Sequence, residues 1–358
     1  MRLGLAYNQK PDSAAESAKK LSDPPQPPGT GDAYAEWDEP ATIQAVARAL
    51  RIFGDVVLLE AIDDFPGRLA ASRIDLLFNM AEGVSGPNRE AQVPAIAEFL
   101  GIRYTGSDPL TLAVALHKAR AKEVLAQRGV ATAPFALVER LDDLGALARA
   151  RIYPAFLKPA WEGSSKGISQ DNYAATPRAA MDRAAYLLER YRQPVLAEAF
   201  LPGDEFTVAI MGNDADTRCL PTIRYRWDGL PSGALPVMGY EAKWVWDAPG
   251  SGLNVLECPA AVAEPVNRAV QGVALAAYRA LGCRDWARVD VRLDAFGVPN
   301  VIEVNPLPGI LPDLSANSCF PNAAHAAGIG YDELIQSVTR VAWRRFTGRA
   351  LEARAEAA

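Results

Sequence analysis

Short apolar runs alternate with amphipathic stretches along the N-terminal part of the chain. The runs RLGLAY, DVVLLE and IDLLFNM, at residues 2–7, 55–60 and 74–80, are typical of buried strands. The stretches at residues 41–54 and 90–101 place apolar side chains at helical spacing and end at glycine. Strands that alternate with helices in this way predict a parallel sheet.

Residues 8–38 interrupt this alternation. They are rich in Pro, Ser, Asp and Gly and contain the segment SDPPQPPGTGD. This composition has neither a helical nor a strand period, so it predicts a long surface loop.

The middle of the chain combines helices with single strands. Residues 111–129 are predicted to form one helix, which the segment VATAP ends. Strand patterns follow at residues 135–139, 153–159 and 194–200, and a helix is predicted over residues 177–192.

Paired strands are predicted after Gly203. The runs EFTVAIMGN and TRCLPTIRYRW flank DAD, and the runs WARVDVRLD and VPNVIEVN flank AFG, so each pair indicates a hairpin. A helix is predicted between the hairpins, over about residues 259–281, and another over residues 331–346.

A glycine-containing loop follows the apolar run that ends at Lys158. In the segment FLKPAWEGSSKGIS, residues 156–169, exposed backbone N–H groups and serine hydroxyls can surround phosphate oxygens, while Lys158 and Lys166 supply countercharge. A surface turn with solvated lysines is the alternative interpretation of this loop alone. The chain contains neither GxxxxGK(S/T) nor GxGxxG, so a P-loop is excluded.

Four polar side chains stand on the last predicted hairpin. Arg288 and Asp290 are two residues apart on one strand, and Glu303 and Asn305 on the other, so each pair shares a face. If the strands pair across AFG, the four groups converge, and their oxygen atoms suit Mg²⁺. The opposite face is predicted to be apolar: Val289, Val291, Ile302 and Val304. The alternative is the exposed polar face of an edge hairpin.

Two glutamates flank a Pro-Gly linker in the segment VLAEAFLPGDEF. Glu198 precedes Pro202 and Gly203, and Glu205 follows them. Carboxylates and backbone groups in such a linker can hold an adenine amino group and ribose hydroxyls. Glutamates beside turns are also common without any such role.

In order and spacing these segments resemble the ATP-grasp superfamily, and specifically the D-alanine–D-alanine ligase family. The similar segments span about residues 74–335 and include LLFNMAEG, FLKPAWEGSSKG, EFTVAIMGN, YEAKW, RVDVRLD and EVNPLPG. The resemblance implies an α/β fold of three domains: an N-terminal Rossmann-like parallel-sheet domain over residues 1–110, a central lid domain over 111–200 and a C-terminal catalytic domain over 201–358. The two α+β domains would sandwich ATP.

The resemblance further implies an enzyme that joins two amino acids through an acyl phosphate and releases ADP. The nucleotide-binding residues that it implies are Lys118, Lys158, Ser165, Glu198, Phe200, Glu205 and Lys243. Glu198 would hold the adenine amino group, Phe200 would lie beside the base and Glu205 would hold the ribose. The magnesium ligands would be Asp290, Glu303 and Asn305.

Catalytic and substrate-binding residues follow from the same resemblance. Arg288 and the backbone N–H of Gly309 would stabilise the oxyanion of the tetrahedral intermediate. Ser164 occupies the position of the substrate-loop serine, and Ser318 resembles the serine that contacts the second substrate's carboxylate.

The chain departs from the family pattern where the amino-acid substrates would bind. Trp244 stands where the family usually has a tyrosine whose hydroxyl ties the loop serine to a glutamate, and an indole N–H cannot accept a hydrogen bond. Lys166 replaces a small apolar residue, and the segment around Ser318 is longer than usual. We therefore expect a substrate pair that need not be D-alanine with D-alanine.

The amine-binding carboxylate is a further departure, because residues 8–38 replace a Ser/Glu-containing turn. Glu39 is the first candidate for this carboxylate and Glu36 the second. For Glu39 an equally good alternative is a charge that favours a helix N-terminus.

Composition narrows the classes of partner. The net charge of −6 argues against a protein that coats nucleic acid, and no apolar run approaches the roughly 20 residues of a membrane helix. Four scattered cysteines without a CxxC pair predict neither disulfides nor zinc and favour a reducing cytosol. We expect amino acids as small-molecule substrates, ATP and Mg²⁺ as cofactors, no nucleic-acid or membrane partner and, by resemblance alone, a homodimer.

Two other functions are compatible with the same motifs. One is an ATP-grasp phosphotransferase that stops at a phosphorylated product. The other is a non-catalytic ATP-binding protein. The presence of Arg288, Asp290, Glu303 and Asn305 argues against it, since a binding module needs no oxyanion donor.

Overall fold

The computed structural model describes residues 1–11, 34–228, 230–231, 233–237, 239, 255–316 and 318–354. Most of the predicted 8–38 loop, Lys243 and Trp244 therefore lie outside the described residues. The helices are α1 Pro40–Leu50, α2 Phe65–Ala71, α3 Gln92–Phe99, α4 Pro109–Leu116, α5 Lys118–Gln127, α6 Leu144–Arg149, α7 Pro177–Tyr191, α8 Glu264–Leu281, α9 Cys319–Ala326 and α10 Tyr331–Thr347. Within these ranges no helix has the length and apolarity needed to cross a bilayer.

The strands form three separate sheets. They are β1 Arg2–Tyr7, β2 Asp55–Glu60, β3 Leu76–Asn79, β4 Phe135–Val138, β5 Ala155–Pro159, β6 Tyr173–Ala174, β7 Val195–Ala199, β8 Glu205–Met211, β9 Arg218–Cys219, β10 Ile223–Tyr225, β11 Leu256–Glu257, β12 Trp286–Leu293 and β13 Pro299–Asn305. Domain boundaries after residues 110 and 200 remain a prediction.

The first sheet confirms the predicted parallel arrangement. Its order is β2-β1-β3, and β1 pairs in parallel with both neighbours. Leu3 and Leu5 of β1 are fully buried and pack with Ile43, Val46 and Leu50 of α1. The apolar period of α1 thus explains both its helical form and its place on the sheet.

The second sheet is antiparallel and has the order β4-β7-β5-β6. Phe156 of β5 lies opposite Glu198 of β7, and Lys158 follows Phe156 by two residues. Because cross-strand neighbours and alternate residues share a face, these three side chains project from the same face of the sheet. Helix α7 covers the other face through Ala180, Ala184 and Leu187 of the same apolar cluster.

The third sheet has the order β11-β10-β8-β12-β13, with β9 also paired to β8. Both predicted hairpins are confirmed, since β8 pairs with β9 and β10, and β12 pairs with β13. Helix α8 packs its buried Val270, Ala274 and Tyr278 against this sheet.

A β-bulge in β13 corrects one detail of the last hairpin. Asp290 lies opposite Glu303, but the next residue, Val291, lies opposite Val301, so Ile302 is the extra residue. Ile302 therefore lines a cavity beside the ribbon. The alternation of residues along the strand had predicted that it would join Val289 and Val304 on the buried face.

A break at His117 divides the helix predicted over residues 111–129. His117 adopts an extended backbone with φ −85° and ψ 90°, so α4 ends before it and α5 begins after it. The Lys118 N–H donates to the Ala160 carbonyl at 2.8 Å. This tertiary hydrogen bond replaces a helical one and turns the first residue of α5 towards the second sheet.

A buried carboxylate, Asp285, connects three parts of the fold. It accepts hydrogen bonds from the Gly106 N–H at 2.8 Å, from Asn213 Nδ2 at 2.8 Å and from Arg345 of α10 at 2.8 and 3.0 Å. The Asp285 side chain is fully buried, and these donors satisfy its oxygen atoms.

Replacement of Asp285 by alanine should lower the free energy of unfolding by about 3–5 kcal/mol, because it leaves the largely buried Arg345 without its countercharge. Chemical denaturation measures this change. The control is Asp216→Ala, which removes the partner of Arg344 in a largely exposed ion pair of 2.9 Å and should cost less than about 1 kcal/mol. Equal losses in the two variants would contradict the role assigned to Asp285.

Candidate functional site

One cavity of about 480 Å³ lies between the second and third sheets and segments that follow strands of the first sheet. Its size is typical of sites that hold small molecules. Two predicted residues of the described part of the chain, Glu39 and Lys166, do not line the cavity. The other predicted site residues there do line it: Lys118, Lys158, Ser164, Ser165, Glu198, Phe200, Glu205, Arg288, Asp290, Glu303, Asn305, Gly309 and Ser318.

Two lysines bring positive charge to the centre of the cavity. Lys118 Nζ lies 2.6 Å from Glu303 Oε1 and also donates to the Glu162 carbonyl. Lys158 Nζ lies 2.5 Å from Glu198 Oε1. Burial favours the neutral amine of Lys158, but Glu198 and Glu303 outweigh it and raise the pKa of Lys158. The lysine is therefore a fixed positive charge at neutral pH.

A third lysine, Lys122, was missed by the sequence analysis. Its Nζ lies 2.7 Å from Glu198 Oε2 and donates to Thr132 Oγ1 at 2.6 Å. Lys122 and Lys118 are four residues apart on α5 and so share a face, which is a signal that the sequence did contain. Glu198 consequently bridges two lysines that come from α5 and β5.

Aromatic side chains line the end of the cavity beside the linker after β7. The Phe200 ring lies 5.2 Å from the Tyr173 ring, centroid to centroid, and the Arg292 guanidinium lies 5.0 Å from the Phe200 centroid. Arg292 also donates to Glu205 Oε2 at 2.8 Å. Burial raises the pKa of Glu205, and the positive charge of Arg292 partly offsets this rise. This end therefore combines a flat apolar surface with a carboxylate.

The ribbon of β12 and β13 presents its polar face to the same cavity. Arg288 lies opposite Asn305, and Asp290 lies opposite Glu303. Arg288 donates to both oxygens of Asp290, at 3.1 and 3.0 Å, and Thr207 donates to Asp290 Oδ1 at 2.6 Å. Burial opposes the charge of Arg288, but Asp290 outweighs it and raises the pKa of the guanidinium. The predicted convergence of the four groups is thus confirmed.

The donor set of this ribbon fits a hard divalent cation. Two carboxylates and one amide provide oxygen ligands on facing strands, and Asn305 Nδ2 lies 3.3 Å from Asp290 Oδ2. Burial would raise the pKa of Glu303, but Lys118 and Lys158 hold it below its ordinary value, so the carboxylate is ionised. Within the described ranges no cluster of three or more His, Cys, Asp or Glu residues could hold a metal alone. Such a cation would need ligands from substrate phosphates or water.

Gly309 and Ser318 meet at the far side of the ribbon. Ser318 precedes α9 as its N-cap, and its hydroxyl donates to the Gly309 carbonyl at 3.2 Å. The Leu311 N–H donates to Ser318 Oγ at 3.2 Å. The serine thereby holds the loop of Gly309 against the cavity.

The structure does not bring Glu39 into the cavity, which corrects the first candidate for the amine-binding carboxylate. The Asp38 N–H donates to the Asn8 carbonyl and directs Asp38 inward, so Glu39 points the other way in the extended backbone. The Glu39 side chain is 55 % exposed, lies 3.1 Å from Lys10 and precedes α1. This is the place that the helix N-terminus alternative predicted.

Three other carboxyl groups line this end of the cavity: Asp38, Glu82 and Glu90. Burial raises the pKa of Asp38 to about 8 and that of Glu90 to about 7. Burial and the neighbouring Glu90 also raise the pKa of Glu82. Burial therefore favours the protonated form of these three carboxyl groups.

Glu36 also lines this end of the cavity and pairs with Lys166, which does not line it. Lys166 Nζ lies 2.8 Å from Glu36 Oε2 and 2.6 Å from Glu162 Oε2. Lys166 is therefore engaged with protein carboxylates. Sequence reasoning named both residues but gave no signal that they would pair.

Comparisons with known proteins agree with this arrangement. The family model described as "D-ala D-ala ligase C-terminus" matches residues 124–340. A D-alanine–D-alanine ligase of Cupriavidus taiwanensis is 35% identical over 274 residues, which cover 76% of this chain and 77% of the relative. The D-alanine–D-alanine ligase of Xanthomonas axonopodis pv. citri is 34% identical over 298 residues, which cover 82% and 86%.

Solved structures extend the likeness to the fold. The D-alanine–D-alanine ligase of Bacillus anthracis, in its complex with ATP, superposes with a TM-score of 0.67 at 22% identity. The superposition covers 96% of this chain and 98% of that chain. At this identity the likeness concerns the fold.

The two lysines beside Glu198 generate a pH-dependent prediction. Burial alone would raise the pKa of Glu198, but Lys122 and Lys158 lower it to about 2, below the ordinary value of about 4.3. A lowered folded-state pKa stabilises the protein above pH 4.3, and this contribution is lost as pH falls towards 2.

The difference in free energy of unfolding between wild type and Glu198→Gln should shrink by about 2 kcal/mol between pH 6 and pH 3. Urea unfolding at several pH values measures it. Glu264→Gln, at the largely exposed partner of Arg268, is the control and should show no such trend. A constant difference for Glu198→Gln would refute the assigned charge pairing.

Proposed function

The chain belongs to the D-alanine–D-alanine ligase family of the ATP-grasp superfamily, and from this premise we propose that it is an ATP-dependent ligase that joins the carboxylate of one amino acid to the amine of another through an acyl phosphate. Its fold is the ATP-grasp α/β fold that the sequence predicted. The observation that carries the proposal is the convergence of Arg288, Asp290, Glu303 and Asn305 on one cavity with Lys118 and Lys158.

ATP would lie between the second and third sheets. The surface around Phe200 suits the adenine ring, and Glu205 is within the same wall for the ribose hydroxyls. Lys118, Lys158, Ser164 and Ser165 line the same cavity and would face the phosphates. Binding of triphosphate would release Lys118 and Lys158 from Glu303 and Glu198 and use their charge on phosphate oxygens.

Asp290, Glu303 and Asn305 are the residues that would hold Mg²⁺. When bound there, the cation offsets negative charge on the transferring phosphoryl group. Glu303 is ionised and lies next to Lys118, so it would be available as a charged ligand if Lys118 turned to phosphate.

The chemistry explains why a guanidinium belongs on this ribbon. A carboxylate is a poor electrophile, and transfer of the γ-phosphoryl group to one of its oxygens provides a leaving group. The amine then attacks the carbonyl carbon, the carbon–oxygen bond to phosphate breaks, and inorganic phosphate leaves. Arg288 is held rigidly by both oxygens of Asp290, so it can stabilise the oxyanion together with the Gly309 N–H.

Departures of the sequence from the family pattern at the amino-acid end, Lys166 and Trp244, are the reason to expect a substrate pair other than two D-alanines. Lys166 lies in the substrate loop and forms ion pairs with Glu36 and Glu162. Three carboxyl groups line this end of the cavity: Asp38, Glu82 and Glu90. These three carboxyl groups would receive the substrate ammonium group. Magnesium dependence, a homodimer and a cytosolic location are parts of the same proposal.

Isotope transfer tests the acyl phosphate. With an ¹⁸O-labelled carboxylate substrate, one labelled oxygen should appear in the inorganic phosphate, because the bridging oxygen leaves with phosphorus. ADP release is first screened over D- and L-amino acids, with mass detection of the coupled product. A phosphorylated product that forms without an amine would indicate a phosphotransferase, and no ADP release with any pair would contradict the ligase.

Arg288→Ala should lower kcat about 100-fold or more, because one oxyanion donor is lost, while the affinity for ATP stays within about threefold. Steady-state kinetics and calorimetric titration with a nonhydrolysable ATP analogue measure the two quantities. Arg344→Ala, at an exposed arginine, is the control. Unchanged turnover in Arg288→Ala would remove the assigned role.

The same screen decides the substrate expectation. We expect D-alanine alone to be a poor substrate on both sides, with a kcat/KM at least about tenfold below that of the best pair. Efficient synthesis of D-alanyl-D-alanine would refute this expectation and leave the ligase proposal intact.

A further inference from the structure

Four charged side chains form a buried cluster where the segments before α1 and α3 meet the loop after β5. We call Glu36, Arg89, Glu162 and Lys166 the ionic cluster. Their side chains are only 4–7% exposed. Glu36 and Arg89 precede α1 and α3, whereas Glu162 and Lys166 belong to the loop that carries Ser164 and Ser165. The cluster therefore joins segments that are distant in sequence.

Glu36 is the centre of the cluster. Its Oε1 accepts from Arg89 Nη2 at 2.8 Å and from the Gly163 N–H at 2.8 Å, and its Oε2 accepts from Lys166 at 2.8 Å. Arg89 also donates to the Trp161 carbonyl at 2.8 Å. One carboxylate and one guanidinium thus hold the loop through both its backbone and its side chains.

Gly163 makes this close approach possible. A Cβ at this position would lie 2.4 Å from Glu36 Oε1, so any other residue would separate the carboxylate from the loop. The need for glycine here is steric, because its φ lies outside the left-handed region.

The loop itself adopts a conformation that needs external support. Ser164 and Ser165 both have left-handed backbones, with φ 48° and 60°. Such conformations are disfavoured for residues other than glycine, and they persist when surrounding contacts determine them. The contacts of the ionic cluster lie immediately before and after these two serines.

The cluster also lies at the cavity wall. Glu36, Glu162, Gly163, Ser164 and Ser165 all line the cavity. Burial of several paired charges contributes little net stability, since desolvation opposes the Coulombic attraction. Fixing the position of a loop is a better explanation of such a cluster than stability alone.

We propose that Glu36 is a positioning residue that fastens the Trp161–Gly167 loop through Gly163 and Lys166 and so closes the cavity over its reacting end. Glu36 accordingly does not bind the substrate amine. A loop held in this way would keep water from the acyl phosphate, which hydrolyses in water. This consequence rests on the proposed ligase function.

Hydrogen–deuterium exchange tests the fastening without reference to activity. In Lys166→Met and in Gly163→Ala, peptides that span residues 161–168 should exchange at least roughly tenfold faster than in wild type. Lys166→Arg keeps the charge and should exchange as wild type does. The control is Arg178→Met, which breaks an exposed ion pair on α7, the helix that covers the second sheet. It should not change the exchange rate of this loop. Unchanged exchange in folded Lys166→Met and Gly163→Ala would overturn the proposal.

The ratio of ADP released to amide formed tests the closure. In wild type the ratio should be near one, and in Glu36→Gln and Lys166→Met it should rise several-fold, because water competes with the amine. Lys166→Arg should keep the ratio near that of wild type. A merely structural loss of active protein would lower the rates of ADP release and amide formation equally and would leave their ratio unchanged. Faster exchange with an unchanged ratio would overturn closure as the role of the cluster. Absence of any amide in wild type would defeat the ligase proposal, and the exchange experiment would still decide the fastening.

Discussion

The antiparallel pairing of β12 with β13 is the constraint on which the site depends. It sets Asp290 opposite Glu303 and Arg288 opposite Asn305, so a cation-binding face and an oxyanion donor arise from one register. A shift of one residue would turn these groups towards the apolar core of Val289 and Val304. The bulge at Ile302 adjusts this ribbon locally and leaves the register of the four polar groups intact.

The buried charges around the cavity neutralise one another in a way that suits exchange of partners. Lys118 pairs with Glu303, and Lys158 and Lys122 share Glu198. A phosphate that enters can replace a carboxylate at a lysine, and a divalent cation can replace a lysine at Glu303. The site is thus held together before binding by the same groups that a nucleotide and its metal would use.

The sequence predicted the elements with regular periods and the side chains that they carry. The structure confirms the three strands of the parallel sheet and both hairpins. These elements could be predicted because their apolar patterns are local. The break at His117 was not predictable, since the helical period runs through it and only the hydrogen bond from Lys118 to Ala160 interrupts the helix. The position of Glu39 likewise depended on a tertiary contact, the hydrogen bond between Asp38 and Asn8. The pairing of Glu36 with Arg89 and Lys166 joins three distant segments, so no short motif could indicate it.

The most direct measurement of the central claim is a crystal structure of the protein with a nonhydrolysable ATP analogue and Mn²⁺, located by its anomalous scattering. We predict that Asp290, Glu303 and Asn305 bind the metal and that the analogue's phosphates lie beside Lys118 and Lys158. An analogue bound elsewhere, or a metal with none of these oxygen atoms as ligands, would contradict it.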